Sequence, residues 1–203
     1  MAQIAILAFG SLIEEPGEEI DPLIRKRIRR VRTPFSIEFA RSSRWRCGAP
    51  TLIPVDVGGS PVNGDLLVLH DTVGIEEAMT LLWRRETRNE LSGKKYSRPA
   101  NPSQDQVIVE CIQSFHGCDV ALYTKIGSNI EDLNADHLAD LAISSARAKA
   151  GANRKDGISY LASVIRQDIT TPLLPEYLAA ILRKTEAGDL DEAHARIQTG
   201  LTA

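Results

Sequence analysis

Cysteine is scarce in this chain: Cys47, Cys111 and Cys118 are the only three in 203 residues, and no two form a CxxC pair. An odd, widely spaced set supplies neither a disulfide framework nor a zinc cluster, and it reads as three thiols in a reducing cytoplasm. Long apolar runs are missing too, since none approaches the roughly 18 residues that span a bilayer. Met1-Ala2-Gln3-Ile4 lacks the basic start of a signal peptide. A cytoplasmic protein without membrane association is therefore expected. No strong excess of one charge is present: 24 Lys+Arg against 27 Asp+Glu leave a net charge of -3. That balance disfavours a surface that coats nucleic acid. GxSxG, Walker and GxGxxG motifs are absent, and His70, His116, His137 and His194 form no i,i+4 pair, so no metal site is expected.

A length of 203 residues fits one domain, or one domain with an appended helical piece, and 43% hydrophobic with 25% charged residues is a composition neither disordered nor fibrous. Its first part reads as β-rich. Gln3 to Phe9 is a short apolar run closed by Gly10-Ser11, and Phe35 to Ala40 alternates as a half-buried strand. Thr51–Val57 and Val62–Leu69 flank a Gly58–Pro61 turn, and Val107–Ile112 and Val120–Ile126 flank Phe115-His116-Gly117; each pair predicts a hairpin. A helix is predicted from Gly74 to about Arg88. Further helices are predicted at Asp136–Lys149, Gly157–Arg166, Pro175–Lys184 and Asp189–Thr199, from apolar spacings of three and four. Strands first and helices later argue α+β, with a β-rich core over 1–130 and a helical region over 131–203 of a single domain. Residues 89 to 106 are polar, hold Pro99 and Pro102, and read as a long loop.

Three segments could carry chemistry. On a helix starting at Ile75, Ala78, Met79 and Leu82 share one stripe and Glu86 falls on it, with Arg84 opposite and Arg85 on the flank. A carboxylate aimed at a core must be paired, hydrogen-bonded or protonated, which are the conditions that tune a general acid or base. The competing reading is a frayed helix end with a solvated Glu86. Second, the Ala8-Phe9-Gly10-Ser11-Leu12 turn presents successive backbone N–H groups that could hold a carboxylate or an oxyanion, although Gly-Ser turns are common. Third, Arg25 to Arg32 holds six basic residues. It reads as a solvated face before a phosphate or nucleic-acid contact, because no aromatic is interleaved for stacking. Arg41, after a strand, could grip a substrate carboxylate or simply be a rim charge.

Taken in order, these segments resemble the gamma-glutamylcyclotransferase-like family, above all its ChaC-like, glutathione-specific branch. The resemblance runs through Phe9-Gly10-Ser11-Leu12, through Arg32-Thr33-Pro34-Phe35 to Arg46-Cys47-Gly48, and through Gly59-Ser60-Pro61-Val62-Asn63-Gly64. It continues in Leu82-Trp83-Arg84-Arg85-Glu86, Asp156-Gly157-Ile158-Ser159-Tyr160-Leu161 and Pro175-Glu176-Tyr177-Leu178. Phe9 stands where the family usually has Tyr, and Tyr96 is the tyrosine nearest after Glu86 where the family has a Gly-Tyr pair.

The resemblance implies a mixed β-barrel with surrounding helices, in which Glu86 is the catalytic carboxylate. The implied reaction is cyclisation of a γ-glutamyl group to 5-oxoproline with release of an amine or peptide, a lyase chemistry that needs no cofactor or metal. Phe9, Gly10, Ser11, Leu12, Arg41, Tyr96 and Tyr123 are the candidate substrate contacts. The implied partner is a small γ-glutamyl compound, with no nucleic acid and no membrane; which compound, and the oligomeric state, stay open. A rival reading keeps the same fold as a small-molecule binding protein without turnover.

Overall fold

A computed structural model describes residues 2–200. Its elements are β1 (Ile4–Ala8), α1 (Ser11–Glu14), β2 (Ile24–Arg32), β3 (Ser36–Ser43), β4 (Ala49–Val55), β5 (Asn63–Leu69), α2 (Ile75–Glu86), β6 (Ile108–Phe115), β7 (Cys118–Lys125), α3 (Ala135–Arg147), α4 (Lys149–Ala152), α5 (Gly157–Arg166), α6 (Leu174–Thr185) and α7 (Leu190–Thr199). The fold is mixed α+β. The elements cluster into two compact units, one built from residues up to 33 and 63–127, the other from 34–62 and 128 onward. A division near residue 130 therefore misses that the segment holding β3 and β4 groups with the C-terminal helices.

The first unit is a five-stranded sheet in the order β2-β5-β1-β7-β6. The expected barrel is corrected here: the described strands form this open sheet and a separate two-stranded ribbon, and no closed barrel. Strand β1 is buried along its whole length and pairs antiparallel with β5 and parallel with β7. A central strand covered on both faces reads as a continuous apolar run, which is what Ile4-Ala5-Ile6-Leu7-Ala8 is. Helix α2 packs on β1, β6 and β7, joining Ala78, Leu81 and Leu82 to Ile4, Ile6, Leu67, Val109 and Leu122 in one core. Strands β6 and β7 form the expected hairpin, with Phe115 opposite Cys118. His116 and Gly117 both have positive φ, 49° and 82°, which suits the twist of a two-residue hairpin loop.

The other predicted hairpin does not form. Strand β4 pairs with β3, and β5 pairs with β1 and β2. Gly59 is packed against the Ile37 carbonyl instead of turning a hairpin. The Arg25–Arg32 run, read as a solvated face, is strand β2 at a sheet edge.

The second unit places the β3–β4 ribbon with five helices. Their starts follow local chemistry: Asn134, Asp156 and Asp189 each accept from backbone N–H groups of α3, α5 and α7, satisfying donors that a helix leaves unpaired. Strand β3 is not half-buried, because Ile37, Glu38, Phe39 and Ala40 are all buried. Glu38 survives there by accepting from Phe39 N, Thr171 Oγ1 and Leu173 N, the last at the start of α6; a buried carboxylate needs such donors. Phe39 meets Tyr160 and Tyr177 edge-on, at 6.4 and 5.2 Å between ring centroids. His194 Nε2 lies 3.2 Å from Asp156 Oδ2, off line for a hydrogen bond.

Two outcomes follow from this packing. A Cβ at Gly64 would stand 2.5 Å from the Ala8 carbonyl oxygen, so Gly64→Ala must push β5 from β1. A loss of about 2 kcal/mol is expected from such overpacking, read as a lower urea midpoint with unchanged slope. Tyr177 is fully buried and its hydroxyl has no partner among the described residues. Burial first, then the Asp156 charge, raises its phenol above the ordinary 10.0. The folded state thus keeps its proton where the unfolded chain ionises. Stability from this group is whole below about pH 10 and declines as pH rises above it. Tyr177→Phe should match wild type near neutrality, or gain about 1 kcal/mol, and should lose part of the alkaline decline. Urea titrations on both sides of that pH check it.

Candidate functional site

The site lies in the first unit, where strand β1 ends. Gly10 has φ 59° and ψ -135°, a backbone region essentially reserved for glycine. That kink turns the chain from β1 into the short helix α1. Ile13 N–H bonds back to the Gly10 carbonyl and Glu15 N–H to Ser11. The N–H groups of Ser11 and Leu12 have no hydrogen-bond partner among the described residues. Gly10 and Leu12 are buried, while Phe9 and Ser11 are half-buried.

Glu86 is the last residue of α2, and its side chain is 25% exposed. The stripe that enters the core is Ala78, Leu81, Leu82 and Arg85, an i, i+3, i+4, i+7 set. The expected placement of the arginines is therefore corrected. Ile75 is 39% exposed and lies off the core stripe; Arg85 occupies the next core position, and Glu86 stands beside it. Arg85 is 6% exposed and all its bonds have identifiable partners. Its Nε and Nη2 donate to the Glu15 carbonyl at 3.1 and 2.6 Å. Nη2 also reaches Ser11 Oγ at 3.3 Å, and Nη1 donates to Glu86 Oε1 at 2.6 Å. One guanidinium thus holds the Gly10-Ser11 turn and Glu86, 74 residues apart from Ser11 to Arg85. Glu86 Oε2 accepts no hydrogen bond among the described residues.

Arg84 is not a solvated residue either. Its Nη1 pairs with Glu19 Oε1 at 2.7 Å, with both side chains largely covered. Glu19 Oε2 accepts from Leu91 N–H, Glu90 Oε1 accepts from Glu18 N–H, and Arg84 Nε donates to the Lys94 carbonyl. Two loops, 15–20 and 88–95, are clasped together by these bonds next to Glu86. Sequence reasoning missed Arg85, Arg84 and Glu19; counting the helix stripe from Ala78 would have found the first.

Tyr96 is half-buried with its ring 6.2 Å from that of Trp83, and its hydroxyl accepts from Val109 N–H at 3.1 Å. Its polar end therefore secures the start of β6. Tyr123 lies on β7 opposite Glu110, and burial, then the Glu110 charge, raises its phenol above the usual range. Arg98 pairs with the same Glu110. Arg41 lies on β3 in the second unit, half-buried, with its carbonyl accepting from Thr51 Oγ1. Among the described residues no group of three or more His, Cys, Asp or Glu side chains could hold a metal ion, and no helix is long and apolar enough to cross a membrane. The thiols of Cys47, Cys111 and Cys118 are free, the last buried.

No family model and no curated protein matches the chain.

Removing Arg85 leaves Glu86, Ser11 Oγ and the Glu15 carbonyl without their shared donor. Arg85→Leu should cost about 3 kcal/mol, the low end for breaking a buried pair because Glu86 retains some solvent. Arg85→Lys should recover only part, since an ammonium cannot reproduce the forked geometry. Urea unfolding of the three proteins measures both.

Proposed function

We propose that the chain is a γ-glutamylcyclotransferase-like enzyme of the ChaC-like type, with Glu86 as its general acid and base. The observation that carries the reading is the Arg85 guanidinium, which joins Glu86 to the Gly10-Ser11 turn. Those are the two segments that bear the strongest family resemblance.

The chemistry suits this arrangement. In a γ-glutamyl compound the α-amine and the γ-carbonyl already belong to one small molecule, so holding the chain folded supplies much of the rate. The amine nitrogen forms a bond to the γ-carbon, and a proton passes from that nitrogen to Glu86. The bond from the γ-carbon to the departing nitrogen then breaks, and Glu86 returns the proton to that nitrogen. The products are 5-oxoproline and a free amine or peptide, with every atom accounted for. Glu86 suits the proton transfers because Oε1 is anchored by Arg85 while Oε2 is unengaged among the described residues. The N–H groups of Ser11 and Leu12 would hold the glutamyl carboxylate or the developing oxyanion. No step requires a redox or metal centre.

Glu86→Gln keeps the shape and removes the proton transfer. It should fold as wild type and release 5-oxoproline from a responsive γ-glutamyl compound about a hundredfold to ten-thousandfold more slowly. Activity within a few-fold of wild type would take Glu86 out of the mechanism. Saturable binding with no product from either protein would favour a binding protein.

A further inference from the structure

Strand β2 carries an unusual density of charge for a sheet edge. Six of the chain's 24 Lys+Arg fall between Arg25 and Arg32. Arg25, Lys26, Arg29, Arg30 and Arg32 are exposed, while Ile24, Arg27 and Ile28 are half-buried and Val31 is buried. The strand pairs with β5 on one side only and ends the sheet. Ile24 N–H bonds back to the Asp21 carbonyl, while Lys26, Arg27 and Ile28 make no backbone–backbone hydrogen bond among the described residues besides those with β5. Alternation alone would point every second residue outward. Register shifts between Ile24 and Lys26 and between Ile28 and Val31 break it. A bulge re-aims side chains, and the adjacent pairs Arg25-Lys26 and Arg29-Arg30 both face solvent.

Part of this charge is spent internally. Arg25 pairs with Asp71, and Arg27 bonds to Asp21 and to the Ile13 carbonyl. The Lys26, Arg29 and Arg32 side chains have no hydrogen bond or ion pair among the described residues. Charge on an edge commonly serves to prevent strand-to-strand association. Here three unpaired cations line the free edge of a chain whose net charge is -3.

We propose that the outer edge of β2 is a docking strand for an extended acidic segment of another protein. Such a segment would pair its main chain with the regular stretch Lys26–Ile28 and place its carboxylates against Lys26, Arg29 and Arg32. Opposite charges facing each other across neighbouring strands stabilise pairing, and edge addition of a peptide is an established mode of recognition. A single-stranded nucleic acid fits less well. No aromatic residue occurs from Ile24 to Arg32 on which a base could stack.

The test uses the full chain and a labelled nine-residue peptide, matching β2 in length, in which Glu-Glu-Val is repeated so that carboxylates stand on both faces of the added strand, as Lys26 and Arg32 do on β2. Fluorescence polarisation reads binding. The expected result is saturable binding that weakens with salt. Binding should weaken by about tenfold or more in the Lys26→Glu/Arg29→Glu/Arg32→Glu variant, in keeping with loss of interfacial charge pairs. A peptide N-methylated at alternate positions, with its charges intact, should bind the wild-type chain at least about tenfold more weakly, because its main chain cannot pair. That arm holds even where the triple variant fails to fold. Equal binding of the N-methylated peptide would overturn the strand-pairing assignment. Tighter binding of an oligothymidylate than of the peptide would overturn the choice of partner. Absence of peptide binding, together with self-association of the charge-reversed variant, would show that the charges only guard the edge.

Discussion

The first unit depends on one constraint: a guanidinium carried into the core by α2 must be fully bonded there. An unpaired buried cation is among the most costly groups a protein can hold. Arg85 therefore dictates where its acceptors stand. It fixes the Glu15 carbonyl, and through it the end of α1; it fixes Ser11, and through it the kink at Gly10; and it fixes Glu86 at the last turn of its own helix. The glycine conformation at position 10, the burial of β1 and the packing of α2 on the sheet all serve to bring these acceptors within reach.

Around this centre, charge does the work that apolar packing does elsewhere. Arg84, Glu19 and Glu90 tie the 15–20 and 88–95 loops to each other and to the end of α2. Ile20 anchors the 15–20 loop in the core, whereas the 88–95 loop buries no apolar residue and is held by ion pairs and by backbone N–H groups caught by carboxylates. Partly covered pairs of this kind are screened less than exposed ones. Further along, Tyr96 closes the loop onto the sheet with an apolar ring against Trp83 and a hydroxyl on Val109 N–H.

Much of the secondary structure was legible from the periodicity of apolar residues. Helices α3, α5, α6 and α7 begin beside Asn134, Asp156, Pro175 and Asp189, residues whose side chains favour helix starts. The His116-Gly117 hairpin was legible for the same local reason. Strand partners were not. Whether β4 pairs with β3 or with β5 is decided by tertiary packing, and the Gly58–Pro61 turn signal pointed to the wrong neighbour. Strand β2 escaped notice because its bulges abolish the alternation that marks a strand. The alternation over Phe35–Ala40 reads as half-buried and gives no sign that Glu38 is buried, because its donors, Thr171 and Leu173, come from a distant segment. At the site, the stripe counted from Ile75 and the family resemblance both drew attention to Glu86. The stripe counted from Ile75 was shifted by one position, which hid Arg85 behind its neighbour.

On the proposed reading, a turn that offers N–H groups and a carboxylate that moves protons share one organising cation. Cyclisation then needs little beyond a folded substrate. The most direct measurement uses a γ-glutamyl compound carrying heavy nitrogen at its α-amine, incubated with the wild-type chain and analysed by mass spectrometry. Intramolecular attack predicts 5-oxoproline that retains the heavy nitrogen in its ring, with the partner amine released unlabelled. Formation of labelled glutamate in its place would mean that water, not the α-amine, attacks the carbonyl, and no product from any γ-glutamyl compound would contradict the assignment of this site to cyclotransferase chemistry.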